Sequence, residues 1–465
     1  MLPKTVAQPL RPAARTPQVN MLRAYATSTA TPLLASRPIV AYHLLASAAL
    51  VFLIIIVGGI TRLTESGLSI TEWNPGLKGM RLPWTDDEWN AEWDKYKQSP
   101  EFTMINQDMT LEDFKSIFMW EWSHRILGRV IGVFFAVPAL YFCLRPNIAT
   151  RDVRWKLLAI TAGIGFQGLL GWVMVASGLK NPYENEPATA EPRPEWTPRV
   201  SHFRLAAHLG TAFAVYMGMV YTAVTILRDN GLARSATAGA DVQSALSKLV
   251  TQLQSPVVRR YKNVAVGLLA LVFTTAMYGA FVAGLDAGLV YSEFPMMGDG
   301  RLLPPADELL DVRYAVRTNA PVPSPDVTTT PVQPSSSRLV LGNVTQNPVT
   351  VQAIHRYLGL TTVASMLFFL PYSKRMKALL PRAAPRFATG AVHMSIVQAL
   401  LGISTLIYMV PLPLASLHQA GAVVTLTMMT CVLAVLRKPG QALQALAKAR
   451  TEAARHAAAS HGPRP

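Results

Sequence analysis

The sequence predicts an all-α polytopic membrane protein whose eight transmembrane helices form two tandem four-helix bundles related by an axis along the membrane normal. Three observations predict it. The chain is 51% hydrophobic and 15% charged with a mean hydropathy of +0.26, too apolar for a soluble protein of 465 residues. Eight apolar segments approach the roughly 20 residues that cross a hydrocarbon core. Polar motifs set within those segments occur twice, in the same order.

Residues 1–35 carry Lys4, Arg11, Arg15 and Arg23 and no acid, among many Ala, Ser, Thr and Pro; the first acid is Glu65. That is the composition of a mitochondrial transit peptide, and the lack of a central apolar run speaks against a secretory signal. Cleavage is expected near Arg23–Ala26. Spans are expected at about 39–61, 122–144, 155–177, 204–227, 263–285, 353–372, 387–409 and 416–436. The N-terminal bundle then covers 36–230, a linker 231–262, the C-terminal bundle 263–437 and a tail 438–465.

Basic residues set the orientation. Arg145, Arg151, Arg154 and Lys156, then Arg228, Arg234, Arg259, Arg260 and Lys262, then Lys374, Arg375, Lys377, Arg382 and Arg386, and finally Arg437 and Lys438 all fall in connections on one side, with both termini. The opposite loops are acidic, with Glu65, Glu72, Asp86, Asp87, Glu88, Glu92 and Asp94 after the first span and Glu184, Glu186, Glu191 and Glu195 after the third. In a mitochondrial inner membrane the basic side is the matrix and the acidic loops face the intermembrane space. The bilayer is therefore the first partner. The net charge of +16 is spread through tails and short connections without a basic-aromatic patch, which excludes nucleic acid. Residues 318–337, almost wholly Pro, Ser, Thr, Val and Ala, predict a disordered insertion. Cys143 and Cys431 lie in apolar runs as buried thiols. Asn343-Val344-Thr345 matches a glycosylation sequon only by accident in a mitochondrial chain.

The repeat is specific. Gly58–Trp73 (GGITRLTESGLSITEW) aligns with Gly279–Phe294 (GAFVAGLDAGLVYSEF), so that Gly67 matches Gly288, Leu68 Leu289, Glu72 Glu293 and Trp73 Phe294. The second helices repeat His-Arg-x-Leu-Gly at His124 and His355, the third repeat Gln167-x-x-Leu-Gly171 as Gln398-x-x-Leu-Gly402, and the fourth align His208 with His418. Four spans return the chain to its starting side, so the two halves have the same orientation.

That duplication brings the histidines to one depth. The second, fourth, sixth and eighth helices all run inward from the acidic side, and His124, His208, His355 and His418 are each expected in first turns, near the outer leaflet. One imidazole from the second and one from the fourth helix of each half can converge across a bundle core, the arrangement in which a haem iron takes two axial ligands. Arg125 and Arg356, next to the ligands and toward the aqueous edge, are candidates to pair with propionates. His202 has no counterpart in the second half and is read as interfacial. His43 and His393 lie toward the other leaflet, and His456 and His461 in the tail. Trp120, Trp122 and Trp172 are read as membrane-interface anchors. Zinc would need further ligands that no Cys or clustered Asp supplies.

The halves differ at one titratable position. Glu121 precedes His124 by three residues and shares its helix face, while Gln352 stands at the matching place before His355. A site that moves protons during oxidation of a bound molecule needs such a group; a pure electron-transfer site does not. The N-terminal half is therefore expected to do chemistry and the C-terminal half to hold a permanent redox haem.

Glu121-x-x-His124-Arg125, the Gly67–Trp73 loop, Arg204–Gly210, His355-Arg356 and Pro411–Gln419 resemble the mitochondrial haem A synthase family over about residues 38–437. The resemblance implies a haem b bound by His355 and His418, and haem o received between His124 and His208. It implies oxidation of the C8 methyl of haem o to a formyl group through successive hydroxylations, giving haem a for cytochrome c oxidase. Glu121 matches the family's essential carboxylate. Ferredoxin as electron donor, haem O synthase and cytochrome c oxidase assembly factors are the partners implied; a homo-oligomer stays open. The cysteine pair common in an outer loop of bacterial relatives is missing, which removes any thiol-based mechanism. The alternatives are a membrane bis-haem b electron-transfer cytochrome, a haem carrier and a transporter. The cytochrome accounts for four histidines equally well but not for Glu121 against Gln352.

Overall fold

A computed structural model of the chain describes residues 33–76, 79–181, 196–237, 240–316 and 335–460. Among the described residues eight helices are long and apolar enough to cross a membrane: α1 (Pro38–Leu63), α2 (Leu111–Leu144), α3 (Arg151–Gly178), α4 (His202–Arg234), α5 (Pro256–Gly284), α6 (Pro348–Arg375), α7 (Ala383–Ile407) and α8 (Leu412–Val435). Each satisfies its own backbone within the segment, as a hydrocarbon environment demands. The expected transit peptide and Glu184, Glu186, Glu191 and Glu195 lie outside the described residues, except for the last residues of the former.

The packing is cyclic within each half. α1 packs on α2 and α4, and α3 on α2 and α4; α5 packs on α6 and α8, and α7 on α6 and α8. The halves meet where α4 contacts α5 and α8, and α1 contacts α8. One apolar core runs through both, from Leu44, Phe135 and Phe213 to Met366, Phe369 and Met429. Lipid tails are as apolar as leucine, so close approach of backbones rather than water exclusion holds such helices together. α7 shows this on its face toward the core: Ala384, Ala388 and Ala391 are fully buried.

Several helix boundaries differ from expectation, each for a local reason. α2 begins at Leu111 instead of about 122, because Thr110 and Asp113 form a capping box. The extra turns bury Phe114 and Phe118 against Tyr96, in a cap built from the helices Asp86–Lys97 and Pro100–Met104. His124 thus sits in the interior of α2, not in its first turns, and Glu121 is not at a helix N-terminus. α5 starts at Pro256, capped by Ser255, and takes in Arg259, Arg260 and Lys262. The linker contains a helix, Ala240–Gln254, and the tail another, Gln441–Ser460, that packs on it. The insertion expected at 318–337 lies outside the described residues up to 334, but its last residues open the helix Ser336–Gln346. Asn343 in that helix is fully buried. It bonds the Asp311 amide and carbonyl at 3.0 and 2.9 Å, so its amide serves the loop and not a glycan.

The two repeated loops turn alike. Glu65 (φ 52°) and Asp286 (φ 49°) both take the left-handed conformation before a short 3-10 turn, Ser66–Leu68 and Ala287–Leu289. These matched acids join the halves: Arg62 reaches Asp286 at 2.8 Å, and Arg199 bridges Asp286 at 2.7 Å and Glu65 at 3.2 Å.

The cap holds a carboxyl that no sequence pattern marks. Glu101 is buried, accepting from the Tyr96 hydroxyl at 3.1 Å, and Asn106 donates to that hydroxyl at 2.8 Å. Burial pushes the Glu101 carboxyl up from 4.5 to about 8. The folded cap therefore holds a proton that the unfolded chain releases, and this stabilisation is full below about 4.5 and lost as pH rises through about 8. Thermal unfolding followed by Trp89 and Trp93 fluorescence should show the cap melting earlier at about pH 9 than at about pH 6. Glu101→Gln should flatten that dependence; a wild-type cap indifferent to pH would contradict the assignment.

Candidate functional site

The structure brings the four predicted histidines together as two pairs. His124 of α2 faces His208 of α4 with ring centroids 6.4 Å apart, and His355 of α6 faces His418 of α8 at the same 6.4 Å. The planes cross at 59° in the first pair and 89° in the second. Equal separations in two sequence-distinct pairs follow from the duplicated helix order.

Each ring rests on a glycine of the neighbouring helix. A Cβ at Gly58 would lie 2.8 Å from His124 Cε1, at Gly279 3.1 Å from His355 Cε1, at Gly402 2.7 Å from His418 Cε1 and at Gly171 3.6 Å from His208 Cε1. These are the glycines of the repeated motifs, and nothing in the sequence beyond their alignment marks them as ring supports. No side chain larger than hydrogen leaves the rings where they are at Gly58 and Gly402.

The pairs fit a porphyrin iron. A bond from an imidazole nitrogen to a metal is about 2 Å, so two rings on opposite sides of one ion place their nitrogens about 4 Å apart. The two ring radii then account for the rest of the 6.4 Å between centroids. Among the described residues no group of three or more His, Cys, Asp or Glu could hold a metal ion. Each pair is thus a two-ligand set, which suits an ion whose other positions a macrocycle fills. All four histidines are half-buried as residues, and the Nδ1 atoms of His124 and His208 are buried.

Glu121 lies beneath the Gly67–Trp73 loop. Its Oε2 accepts from Ser69 Oγ and the Ile70 amide, both at 2.7 Å, and its Oε1 accepts from Arg125 Nε at 3.0 Å and Nη2 at 2.6 Å. Arg125 also donates to the carbonyls of Ile70 at 2.9 Å and Glu72 at 3.0 Å. Arg356 does the same in the other half, donating to the carbonyls of Tyr291 at 2.6 Å and Glu293 at 2.9 Å. Both arginines therefore staple the repeated loop to the helix that carries the paired histidine. Gln352 keeps this staple without a charge: its Nε2 donates to the Tyr291 carbonyl at 3.1 Å, and Arg356 lies 3.5 Å from its Oε1.

The two sites are close neighbours through α1 and α8. Gln419, next to His418, donates to the Ile55 carbonyl of α1 at 2.9 Å and packs on Gly59, and Gly58 beside it carries His124. Of the remaining histidines, His202 packs between the halves on Gly284 and Phe281, and His43 is held among Phe134, Phe135 and Phe142. His461 lies outside the described residues. Cys143 and Cys431 are free thiols.

Residues 41–430 match the COX15-CtaA family, described as cytochrome oxidase assembly protein. The chain belongs to this family. It is 41% identical over 388 residues to a haem A synthase–mitochondrial ferredoxin fusion protein of Schizosaccharomyces pombe, covering 83% of this chain and 58% of that one. It is 40% identical over 400 residues to the haem A synthase COX15 of Saccharomyces cerevisiae, covering 86% of this chain and 76% of the relative. Against the human haem A synthase COX15 the identity is 36% over 423 residues, covering 91% and 88%. The paired histidines, the glycines beneath them and both stapled loops all fall inside the span shared with the family.

Proposed function

We propose that this protein is a haem A synthase of the mitochondrial inner membrane, an oxidoreductase that converts the C8 methyl of haem o into the formyl group of haem a for cytochrome c oxidase. The observation that carries the reading is the pair of matched two-histidine sites in a chain of this family, one with a carboxylate beside it and one without. His355 and His418 hold haem b, and His124 and His208 receive haem o. The bound haems supply the redox chemistry by which the methyl group is oxidised in successive hydroxylations. The protein orients them and handles the protons.

Glu121 is the proton-handling residue. Its Oε2 meets the Ser69 hydroxyl at 2.7 Å, a contact along which a proton can pass, and Arg125 balances its charge. Arg356, besides holding its loop, carries a positive charge for the porphyrin carboxylates, whereas the charge of Arg125 is matched by Glu121. The basic connections favour a topology with both termini in the matrix and the sites toward the intermembrane space. A ferredoxin is the electron donor, in keeping with the fused relative of Schizosaccharomyces pombe. Haem O synthase delivers the substrate, and cytochrome c oxidase assembly factors take the product.

The test is conversion. Membranes containing the chain, supplied with haem o, reduced ferredoxin and oxygen, should yield haem a on chromatography of the extracted haems. Haem o recovered unchanged, with the chain reduced and reoxidised by oxygen, would leave an electron-transfer cytochrome.

A further inference from the structure

The two histidine pairs differ behind their rings. In the C-terminal half both Nδ1 atoms are backed by carbonyls: His355 Nδ1 lies 3.0 Å from the Thr275 oxygen, and His418 Nδ1 lies 3.1 Å from the Gln398 oxygen. The Gln398 side chain closes over the same ring, its Nε2 3.0 Å from His418 Nδ1 and donating to the His418 carbonyl at 2.6 Å. In the N-terminal half, among the described residues, neither His124 Nδ1 nor His208 Nδ1 has a hydrogen-bond partner, although both are buried.

At His208 the matching glutamine side chain is engaged elsewhere. The repeat matches Gln167 with Gln398 and His208 with His418, which sets Thr211 against Gly421. Gln167 Nε2 donates to Thr211 Oγ1, and that hydroxyl sits over the Ala207 carbonyl at 2.8 Å. The amide is thereby turned away from His208. At Gly421 a Cβ would stand 2.2 Å from Gln398 Oε1, so only glycine leaves Gln398 the room it uses to reach His418. The rings follow: the Cβ position of Gly402 is 2.7 Å from His418, whereas that of Gly171 is 3.6 Å from His208.

We propose that Thr211, by taking the Gln167 amide, leaves His208 a loosely oriented ligand and makes the N-terminal pair the site that exchanges its haem, while Gly421 lets Gln398 lock His418 and makes the C-terminal pair the site that retains it. An imidazole whose second nitrogen donates to a carbonyl is fixed in tautomer and orientation and is more basic; losing such a partner lowers metal affinity by about 10- to 100-fold. An enzyme whose substrate and product are haems must release one and keep the other. Thr211, Gln167, Gln398 and Gly421 act through the ligands and are positioning residues. The inference rests on the proposed function for its purpose but not for its test.

That test uses the purified full chain loaded with haem b at both sites and challenged with excess apomyoglobin as haem acceptor. Haem should leave the wild type in two phases. Thr211→Gly should slow the fast phase by about tenfold or more, and Gly421→Thr should speed the slow phase by a similar factor. If Gly421→Thr does not fold, Thr211→Gly decides alone. Two haems leaving at one rate, or a fast phase indifferent to Thr211→Gly, would overturn the inference and leave haem a formation untouched. Two phases that respond as stated in a chain making no haem a would instead remove the proposed function and leave the site asymmetry standing.

Discussion

Glu121→Gln is expected to leave a folded chain that binds haem o and makes no haem a, with turnover down by about 100-fold or more, the range that a positioned proton-transfer group supplies. The molecule contains its own control for this substitution. Gln352 occupies the matching place in the C-terminal half and still joins its loop through the Tyr291 carbonyl and Arg356. A glutamine is therefore compatible with the staple, and what Glu121→Gln removes is the titratable group. Glu121→Ala is a different experiment: it strips four hydrogen bonds and leaves Arg125, 11% exposed, without its anion. Breaking a buried pair from one side costs about 3–5 kcal/mol, so this variant should unfold at lower temperature in detergent while Glu121→Gln melts near the wild type. Haem a formed at normal rate by Glu121→Gln would end the assignment of Glu121 to proton handling.

The glycines under the rings give a graded series whose order is set by distance. Alanine at Gly402 or Gly58 would put a methyl 2.7 or 2.8 Å from an imidazole carbon, and since real carbons do not approach so closely, the ring must move. Overpacking of this kind costs about 1–3 kcal/mol, and a displaced ring no longer meets its partner across 6.4 Å. Gly279→Ala, at 3.1 Å, should be milder. Gly171→Ala, at 3.6 Å, meets ordinary contact, and because alanine favours a helix over glycine by about 1 kcal/mol it should be neutral or stabilising. Thermal stability together with the optical spectrum of bound haem reads both effects. Loss of the spectrum in Gly171→Ala with Gly402→Ala unaffected would reverse the predicted order.

Long apolar periodicity exposes eight spans in the sequence, and a repeat that keeps His-Arg-x-Leu-Gly in register exposes which histidines pair. Side-chain direction is harder to read. Arg125 and Arg356 read in the sequence as partners for propionates, yet their guanidinium groups donate to carbonyls of loops 53 to 65 residues away in the chain, contacts that no local pattern encodes. α2 begins early because Thr110 and Asp113 cap an amphipathic extension whose apolar partners, Tyr96 and Phe102, belong to a separate stretch. Glu101 looks like one more loop acid until the cap folds over it. The pairing of Thr211 with Gly421 is visible in the alignment of the halves, but only the hydrogen bond from Gln167 gives it meaning.

The central claim is that the C-terminal pair holds a haem b of its own while the N-terminal pair handles haem o and haem a. The most direct measurement is extraction and chromatography of the haems carried by the purified chain, repeated for His355→Ala and His208→Ala. The wild type should yield haem b together with haem o or haem a; His355→Ala should lose the haem b, and His208→Ala should keep haem b and lose the others. Two equivalents of haem b from the wild type, one lost with each variant and no haem o or haem a in any sample, would contradict the account and describe an electron-transfer cytochrome.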